Sequence, residues 1–204
     1  MKGDFHKGLI NDFFTMTDVS LSQSFLNPKS VAIIGASADP KKTSSRAQRF
    51  LVSHGYKGKI FPVNPNRDEI FGLKCYPNLK SINEQVEHIF IAIDGNKIIE
   101  VIKDAISVKV RCATILSGGF SEAGFEGNDL EKQIFRIAKK GNLRILGPNS
   151  IGLINISDNV ILSVNAMLEL QDLKKGSLSV ISHSGSLIGA LLAHGHSRGI
   201  GFSK

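Results

Sequence analysis

Short, unbroken apolar runs alternate with amphipathic helical patterns along most of this sequence. The first run covers residues 31–34. A helical pattern follows it, in which one face is formed at the i, i+3, i+4, i+7 spacing by Ala47, Phe50, Leu51 and His54. Parallel strands are covered on both faces, so they occur as continuous apolar runs rather than as alternating ones. The pattern therefore predicts an α/β fold with a doubly wound, Rossmann-like parallel sheet.

Later segments continue this alternation. We expect further strands over residues 59–63, 88–93, 113–116 and 143–146. Asn96 is expected to cap the next helix, and another helix is expected to begin at Asn128 or Asp129 and to end at Gly141. Ligands of such sheets bind at the carboxyl ends of the strands, so the loops at that edge form the candidate site.

Charge and composition narrow the class of partner. The net charge is +7, and the segment from Lys41 to Lys74 holds eight basic residues against two acidic ones. We expect no nucleic-acid partner, because the basic residues are not interleaved with aromatics and carry no known reading motif. No apolar run approaches the roughly 20 residues of a membrane span, so we expect no membrane association and a cytoplasmic location. Cys75 and Cys112 are expected to be reduced thiols, with no bound metal.

The loops after the predicted strands share a composition of small and turn-forming residues. They cover residues 35–45, 62–65, 94–96, 117–122 and 147–150. A single loop of this composition is explained by turn formation alone. Five at one edge of a sheet indicate a ligand site, because small residues let the backbone approach a ligand closely.

The loop after the first strand favours a phosphate-bearing ligand. The usual dinucleotide fingerprint needs three glycines after the first strand and an acidic residue at the end of the second. Only Gly35 is present, and the second strand ends in Val63 and Asn64, so an NAD(P)-linked oxidoreductase fragment is the least favoured alternative. Hydroxyls and lysines at a helix N-terminus suit phosphate, and the candidates are Ser37, Lys41, Lys42, Thr43, Ser44 and Ser45.

Several stretches carry a resemblance to a known family. They cover residues 31–37, 58–65, 118–122 and 146–149. In this order they resemble the CoA-binding domain of NDP-forming acyl-CoA synthetases, a family that includes ADP-forming acetyl-CoA synthetase and the alpha subunit of succinyl-CoA synthetase. The similarity extends from about Leu26 to the last residue.

The resemblance implies a ligase reaction in which a carboxylic acid, CoA and ATP give acyl-CoA, ADP and phosphate. It implies that ATP and Mg are handled by an ATP-grasp domain or subunit, that the complete enzyme is oligomeric, and that this chain alone is inactive. The residues implied to contact CoA, ordered from the phosphates and adenosine to the pantetheine arm and thiol, are Gly35, Ala36, Ser37, Lys42, Val63, Asn64, Ser117, Gly118, Gly119, Phe120, Gly147, Pro148 and Asn149.

The chain departs from the family pattern at a few of these positions. Gly118 occurs where the family often has alanine, and Ser150 where it often has cysteine. Residues 94–96 replace a loop that often contains proline. These departures bear on acyl specificity and on fine contacts more than on CoA binding itself.

The last fifty residues predict a second α/β unit. Residues 176–189 fit a strand, a tight loop and a helix. We therefore expect a leader over 1–24, a CoA-binding domain over 25–154, and over 155–204 an incomplete start of the flavodoxin-like domain that the resemblance implies. In the family this loop holds the phosphate of a phosphohistidine, which assigns phosphate binding to Ser184, Gly185 and Ser186.

His183 has two possible roles. Imidazole is a competent nucleophile near neutral pH, so His183 is a candidate for phosphorylation. We favour the alternative, a loop histidine beside a phosphate site, because the family's phosphohistidine lies in a later segment. A non-catalytic CoA- or nucleotide-binding module remains the main alternative to the ligase function.

Overall fold

The computed structural model describes residues 16–204. A five-stranded sheet forms its centre, with the strand order β2-β1-β5-β6-β7 and all neighbouring strands parallel. This confirms the predicted doubly wound α/β fold. The strands in chain order are β1 (Ser30–Ile34), β2 (Lys59–Val63), β3 (Glu69–Ile70), β4 (Leu73–Lys74), β5 (His88–Ile91), β6 (Cys112–Ile115), β7 (Arg144–Leu146), β8 (Gly152–Asn155), β9 (Val160–Ser163) and β10 (Lys175–Leu178).

The helices are α1 (Met16–Leu26), α2 (Thr43–Ser53), α3 (Ile98–Ser107), α4 (Phe125–Lys140) and α5 (Gly185–Ser197). One face of the sheet is covered by α2 and the other by α3 and α4. Successive side chains of a strand point to opposite faces of the sheet. All five β1 residues are buried because both faces are covered. Ala32 and Ile34 pack in the same cluster as α3 and α4, whereas Val31 and Ile33 pack with α2 and β9.

The strand order reverses between β1 and β5. The chain leaves β1 through α2 on one face to reach β2, and it later enters β6 through α3 on the other face. The loops after β1 and β5 therefore diverge and leave a crevice at the carboxyl ends of these strands.

Two helix starts differ from the sequence prediction. α4 begins at Phe125 rather than at Asn128 or Asp129. This early start brings Gly127 against the Phe120 carbonyl, where an added Cβ would lie only 2.0 Å from the oxygen. Asn96 does not cap α3, because it lies inside a 3-10 turn, Gly95–Lys97, that precedes the helix.

Two short hairpins were not predicted. β3 and β4 form an antiparallel pair, and Phe71 and Gly72 at its turn have φ values of 50° and 76°. Positive φ at both central residues is the geometry of a hairpin turn whose twist matches that of the strands. β8 and β9 form a second antiparallel pair that straddles the expected domain boundary at 154/155, and β9 packs beside α2. The boundary remains a prediction.

The expected leader is in part a helix. Residues 1–15 lie outside the described part, and α1 occupies Met16–Leu26. Ser24 is buried, and Asn155 Nδ2 donates to the Leu26 carbonyl at 2.7 Å. These contacts hold the end of α1 against the body of the domain, in place of the loose attachment expected. None of the helices within residues 16–204 has the length and apolar character needed to cross a membrane.

His88 is a buried link between α1 and the centre of the sheet. Its Nδ1 donates to the Ser24 carbonyl at 3.2 Å, and its Nε2 lies 2.8 Å from Thr114 Oγ1. Burial lowers the pKa of His88 from 6.5 to about 4, although the bond to Ser24 acts in the opposite direction. The imidazole is therefore neutral at pH 7, and Nε2 accepts the Thr114 hydroxyl.

Acidification is expected to destabilise the fold through His88. In the unfolded chain the imidazole gains a proton near pH 6.5, but in the folded chain it does so only near pH 4. The stability contribution is therefore complete above pH 6.5 and is lost as the pH falls toward 4. At about 1.4 kcal/mol per pKa unit, the loss approaches roughly 3 kcal/mol. Urea unfolding across this pH range measures it.

Two variants isolate this contribution from that of the carboxylates. His88→Gln removes the buried titrating group, so its stability should fall less with acidification than that of the wild type. His183→Gln removes an exposed imidazole and should keep the wild-type dependence. Equal pH slopes for His88→Gln and the wild type would show that the account of His88 is wrong.

Candidate functional site

A cavity of about 480 Å³ lies at the carboxyl ends of β1, β5 and β6. This is the crevice that the reversal of strand order creates. Lys42, Ser117 and Gly118 are the sequence-predicted contact residues that line it. The complete lining is Lys42, Thr43, Ser44, Ala92, Ile93, Asp94, Gly95, Leu116, Ser117 and Gly118.

Gly35 allows the first loop to pass close to β5. Its φ is +84°, and an added Cβ would lie 2.4 Å from the Ala92 carbonyl oxygen. The N–H groups of Gly35 and Ala36 both donate to the Val63 carbonyl, at 3.0 and 3.3 Å. The Ala36 side chain is buried in the core. Gly35 and Ala36 therefore determine the path of the loop and present no side chain to the cavity.

The following residues present the N-terminus of α2 to the cavity. Ser37 Oγ accepts the Asp39 N–H at 3.1 Å, and Asp39 Oδ1 accepts the Lys41 N–H at 2.9 Å. Lys42 is the N-cap of α2, and no side chain caps this helix end. The free N–H groups and the positive end of the helix dipole therefore face the cavity beside Lys42, an arrangement that suits phosphate.

Ser45 does not contribute its hydroxyl to this wall. It is fully buried, and its Oγ donates to the Lys42 carbonyl at 2.8 Å. The hydroxyl-bearing residues that do line the cavity at the start of α2 are Thr43 and Ser44.

Asn64 ties the loop after β2 to the loop after β1. Its Nδ2 donates to the Ala36 carbonyl at 2.8 Å, and its Oδ1 accepts the Asn66 N–H at 2.9 Å. Val63, just before it, is buried. Both ends of the Asn64 amide are thus engaged within the protein, and Arg67 is an exposed cation on the same loop.

The loop after β6 forms the opposite wall of the cavity. Ser117 Oγ donates to the Ile93 carbonyl, which joins this loop to the loop after β5. Glu122 Oε1 accepts the Gly119 N–H at 2.7 Å, and N–H groups of this loop lower the pKa of Glu122. The Phe120 side chain is fully buried, so only its main chain is available to a ligand.

The loop after β7 lies next to the cavity and is fixed to β6. Asn149 donates its N–H to the Ser117 carbonyl, and Ser150 donates to the Ile115 carbonyl, both at 3.0 Å. Gly147 and Asn149 have positive φ values of 106° and 55° in this loop, and the peptide bond between Gly147 and Pro148 is cis. Asn149 is exposed, and its side chain lies 3.6 Å from the position of a Cβ added to Gly118.

The start of α5 is a second candidate anion site. Ser184 is its N-cap, and Ser184 Oγ accepts the Leu187 N–H at 3.3 Å. Gly185 packs against Ile151, where an added Cβ would lie 2.9 Å from the side chain, and Asn165 Nδ2 donates to the Gly185 carbonyl at 3.2 Å. Because Ile151 follows the β7 loop directly, these contacts place the start of α5 close to that loop. His183 and Ser186 are exposed there.

Sequence reasoning missed the apolar part of the cavity. Ile93 and Leu116 line it, each one or two residues beyond the end of a central strand. Their positions at the strand ends could have indicated that they line the site. Isoleucine and leucine are also ordinary core residues, so their residue types gave no such indication. Within residues 16–204, no group of His, Cys, Asp and Glu side chains is arranged to hold a metal ion.

The fold and the cavity together define a nucleotide-binding α/β domain. Comparison with protein families assigns it more narrowly. The model of the CoA binding domain matches residues 29–156, and the chain belongs to this family.

Several similar proteins are named as ADP-forming ligases. Acetate--CoA ligase (ADP-forming) II of Archaeoglobus fulgidus is 38% identical over 179 residues, which cover 87% of this chain and 26% of the relative. Subunit alpha of acetate--CoA ligase (ADP-forming) II of Pyrococcus furiosus is 34% identical over 88% of this chain and 38% of the relative. The chain thus spans about a quarter to two fifths of the length of these relatives.

A solved structure agrees with these sequence comparisons. The dinucleotide forming acetyl-coenzyme A synthetase 1 of Ca. Korarchaeum cryptofilum, in complex with phosphate and ADP, superposes with a TM-score of 0.82 at 34% identity. The match covers 89% of this chain and 38% of that one.

Gly35→Ala is expected to destabilise the fold far more than Gly55→Ala. Both glycines have positive φ, +84° and +74°, so both variants carry the same type of backbone strain. Only Gly35 also faces a backbone oxygen, because a Cβ at Gly55 would meet nothing within 4 Å. The clash should add at least about 2 kcal/mol to the loss for Gly35→Ala. Urea unfolding of the two variants measures the difference, and equal losses would contradict the close approach.

Proposed function

We propose that this chain is the CoA-binding portion of an NDP-forming acyl-CoA synthetase. The complete enzyme converts a carboxylic acid, CoA and ATP into acyl-CoA, ADP and phosphate. The observation that carries the proposal is a cavity with an uncapped helix N-terminus and Lys42 on one wall, in a chain that belongs to the CoA-binding domain family. The ADP-forming ligases among its relatives support the reaction class.

In this proposal CoA runs across the carboxyl ends of the strands in the order of the sheet. Its pyrophosphate binds at Lys42, Thr43 and Ser44, where the loop formed by Gly35, Ala36 and Ser37 sets the start of α2. The adenosine extends over the end of β2, toward Val63 and Asn64. The pantetheine arm runs across β5 to the main chain of residues 117–120, and the thiol ends beside Gly147, Pro148 and Asn149. Helix-end N–H groups, hydroxyls and lysine are suitable ligands for the phosphates.

In this proposal the start of α5 forms a second phosphate-binding site. The backbone N–H groups of Gly185 and Ser186, with the Ser184 and Ser186 hydroxyls, bind a phosphate at the positive end of the helix. The packing of Gly185 on Ile151 supports this role, because it brings that phosphate near the loop proposed to hold the thiol. The phosphate is carried by a histidine from another part of the enzyme, and His183 borders the site.

The remaining parts of the reaction are assigned to partners of this chain. An ATP-grasp domain or subunit binds ATP and Mg, and the names of the relatives as ADP-forming ligases support the use of a nucleotide. The naming of similar chains as alpha subunits supports an oligomeric complex. Cys75 and Cys112 are free and buried, which supports a reducing, cytoplasmic location.

Lys42→Ala is expected to weaken CoA binding through charge alone. Lys42 lines the cavity, so removal of its charge should raise the Kd about tenfold at low salt, and the loss should shrink as added salt screens the interaction. Lys57→Ala removes the same charge just before the start of β2, at the amino ends of the strands and so away from the cavity. This variant should change the Kd less than twofold. Calorimetric titration with CoA at low and high salt measures both effects. Equal losses in the two variants would place the phosphates elsewhere.

His183→Gln is expected to retain phosphate binding at α5, whereas Gly185→Val is expected to lose it. The His183 side chain is exposed at the border of the site, so inorganic phosphate should bind the variant within about twofold of the wild type. A valine at 185 would meet Ile151 and displace the helix start, which should weaken phosphate at least about tenfold. Shifts of the amide resonances of Gly185 and Ser186 on phosphate addition provide the measurement.

Phosphorylation assays test the role of His183 independently. The chain should gain no phosphate when mixed with ATP, or with an acyl phosphate and CoA, because the proposed phosphohistidine lies elsewhere. An acid-labile, base-stable phosphate on His183 that disappears in His183→Gln would overturn this assignment and make His183 the nucleophile.

A further inference from the structure

Asp94 is an unusual component of a cavity with phosphate-binding chemistry. It is the acidic residue among the side chains that line the cavity, and it is exposed. A carboxylate close to a bound phosphate repels it, so its presence disfavours a purely anionic ligand at this point. The phosphates of a bound ligand are therefore expected to lie along another part of the cavity.

The sheet order fixes where along the cavity Asp94 lies. Lys42 follows β1, Asp94 follows β5, and Ser117 follows β6. These three strands are adjacent in that order, so Asp94 lies between the cationic wall and the Ser117 wall. A ligand that runs from one wall to the other passes Asp94 just after its phosphates.

The Asp94 carboxylate makes no hydrogen bond within the described part of the chain. Asp94 is the N-cap of the 3-10 turn Gly95–Lys97, but its side chain does not cap that turn. Its main-chain carbonyl accepts the Lys97 N–H at 3.0 Å, so the turn is closed without the carboxylate. The side chain is therefore dispensable for the local backbone and is free to accept hydrogen bonds from a ligand.

We propose that Asp94 determines specificity for the pantetheine arm, an inference that rests on the proposed CoA site. Immediately beyond its pyrophosphate, CoA carries an uncharged segment with a hydroxyl and amide N–H groups, all of which donate hydrogen bonds. The Asp94 carboxylate accepts from these donors, and charge-assisted hydrogen bonds of this type are the stronger ones. A nucleotide that ends in a terminal phosphate at the same point offers no donor and is repelled.

The test compares two ligands on the Asp94→Ala variant. CoA is one, and adenosine 3′-phosphate 5′-diphosphate, which has the phosphates of CoA without the pantetheine arm, is the other. Loss of a hydrogen-bond acceptor should weaken CoA about tenfold. Loss of the repulsion should tighten the truncated nucleotide about twofold to fivefold. The ratio of the two affinities, measured by calorimetry, should thus fall by more than about tenfold.

Glu100→Ala provides the matched control. Glu100 is an exposed acidic residue in the first turn of α3, outside the cavity lining. Its removal changes the net charge by the same amount, and the affinity ratio should stay at the wild-type value. Thermal unfolding of Asp94→Ala should match the wild type, since the carboxylate closes no turn.

The outcomes separate this inference from the proposed function. If the wild type binds CoA but Asp94→Ala changes the affinities for both ligands in the same direction, or changes neither, Asp94 does not determine specificity for the pantetheine arm. If the wild type fails to bind CoA, the proposed function falls and the role of Asp94 falls with it. Opposite shifts for the two ligands, absent in Glu100→Ala, support the assignment.

Discussion

The close approach of the β1 loop to β5 is the constraint on which the site depends. Gly35 turns against the Ala92 carbonyl, where no side chain fits, while its N–H bonds to the Val63 carbonyl at 3.0 Å. The end of β1 is thus fixed to the strands on both sides of it. Because α2 begins eight residues later, the same contacts determine where its uncapped N-terminus points.

α2 also connects the cavity to the C-terminal segment. Arg46 Nη1 donates to the Val164 carbonyl at 3.1 Å, and Arg49 forms an ion pair with Glu169 at 2.7 Å. His54 Nε2 lies 2.8 Å from the Leu168 carbonyl. Asn165, within this segment, bonds to the Gly185 carbonyl at the start of α5. The helix that presents one proposed phosphate site is therefore packed against the segment that positions the other. The same contacts thus determine the relative positions of the two proposed phosphate sites.

The sequence predicted the central sheet well and the details of the site less well. Continuous apolar runs signal buried parallel strands directly, so β1, β2, β5, β6 and β7 were identified close to their observed bounds. The β3–β4 hairpin escaped because strands of two residues have too little periodicity to detect. Phe120 was expected near the pantetheine arm, yet its side chain is in the core. A loop's composition shows that the backbone turns there, but the direction of each side chain depends on distant packing such as that of Gly127.

Binding of CoA, 3′-dephospho-CoA and NAD to the purified chain tests the central claim most directly. The exposed cation Arg67 lies on the loop after β2, beside the proposed adenosine position, and favours the ligand with the additional 3′-phosphate, while Asn64 replaces the acidic residue that would hold the ribose of NAD. Calorimetry should therefore show CoA binding about tenfold more tightly than 3′-dephospho-CoA, with no measurable heat for NAD. Equal affinity for NAD and CoA would contradict the account.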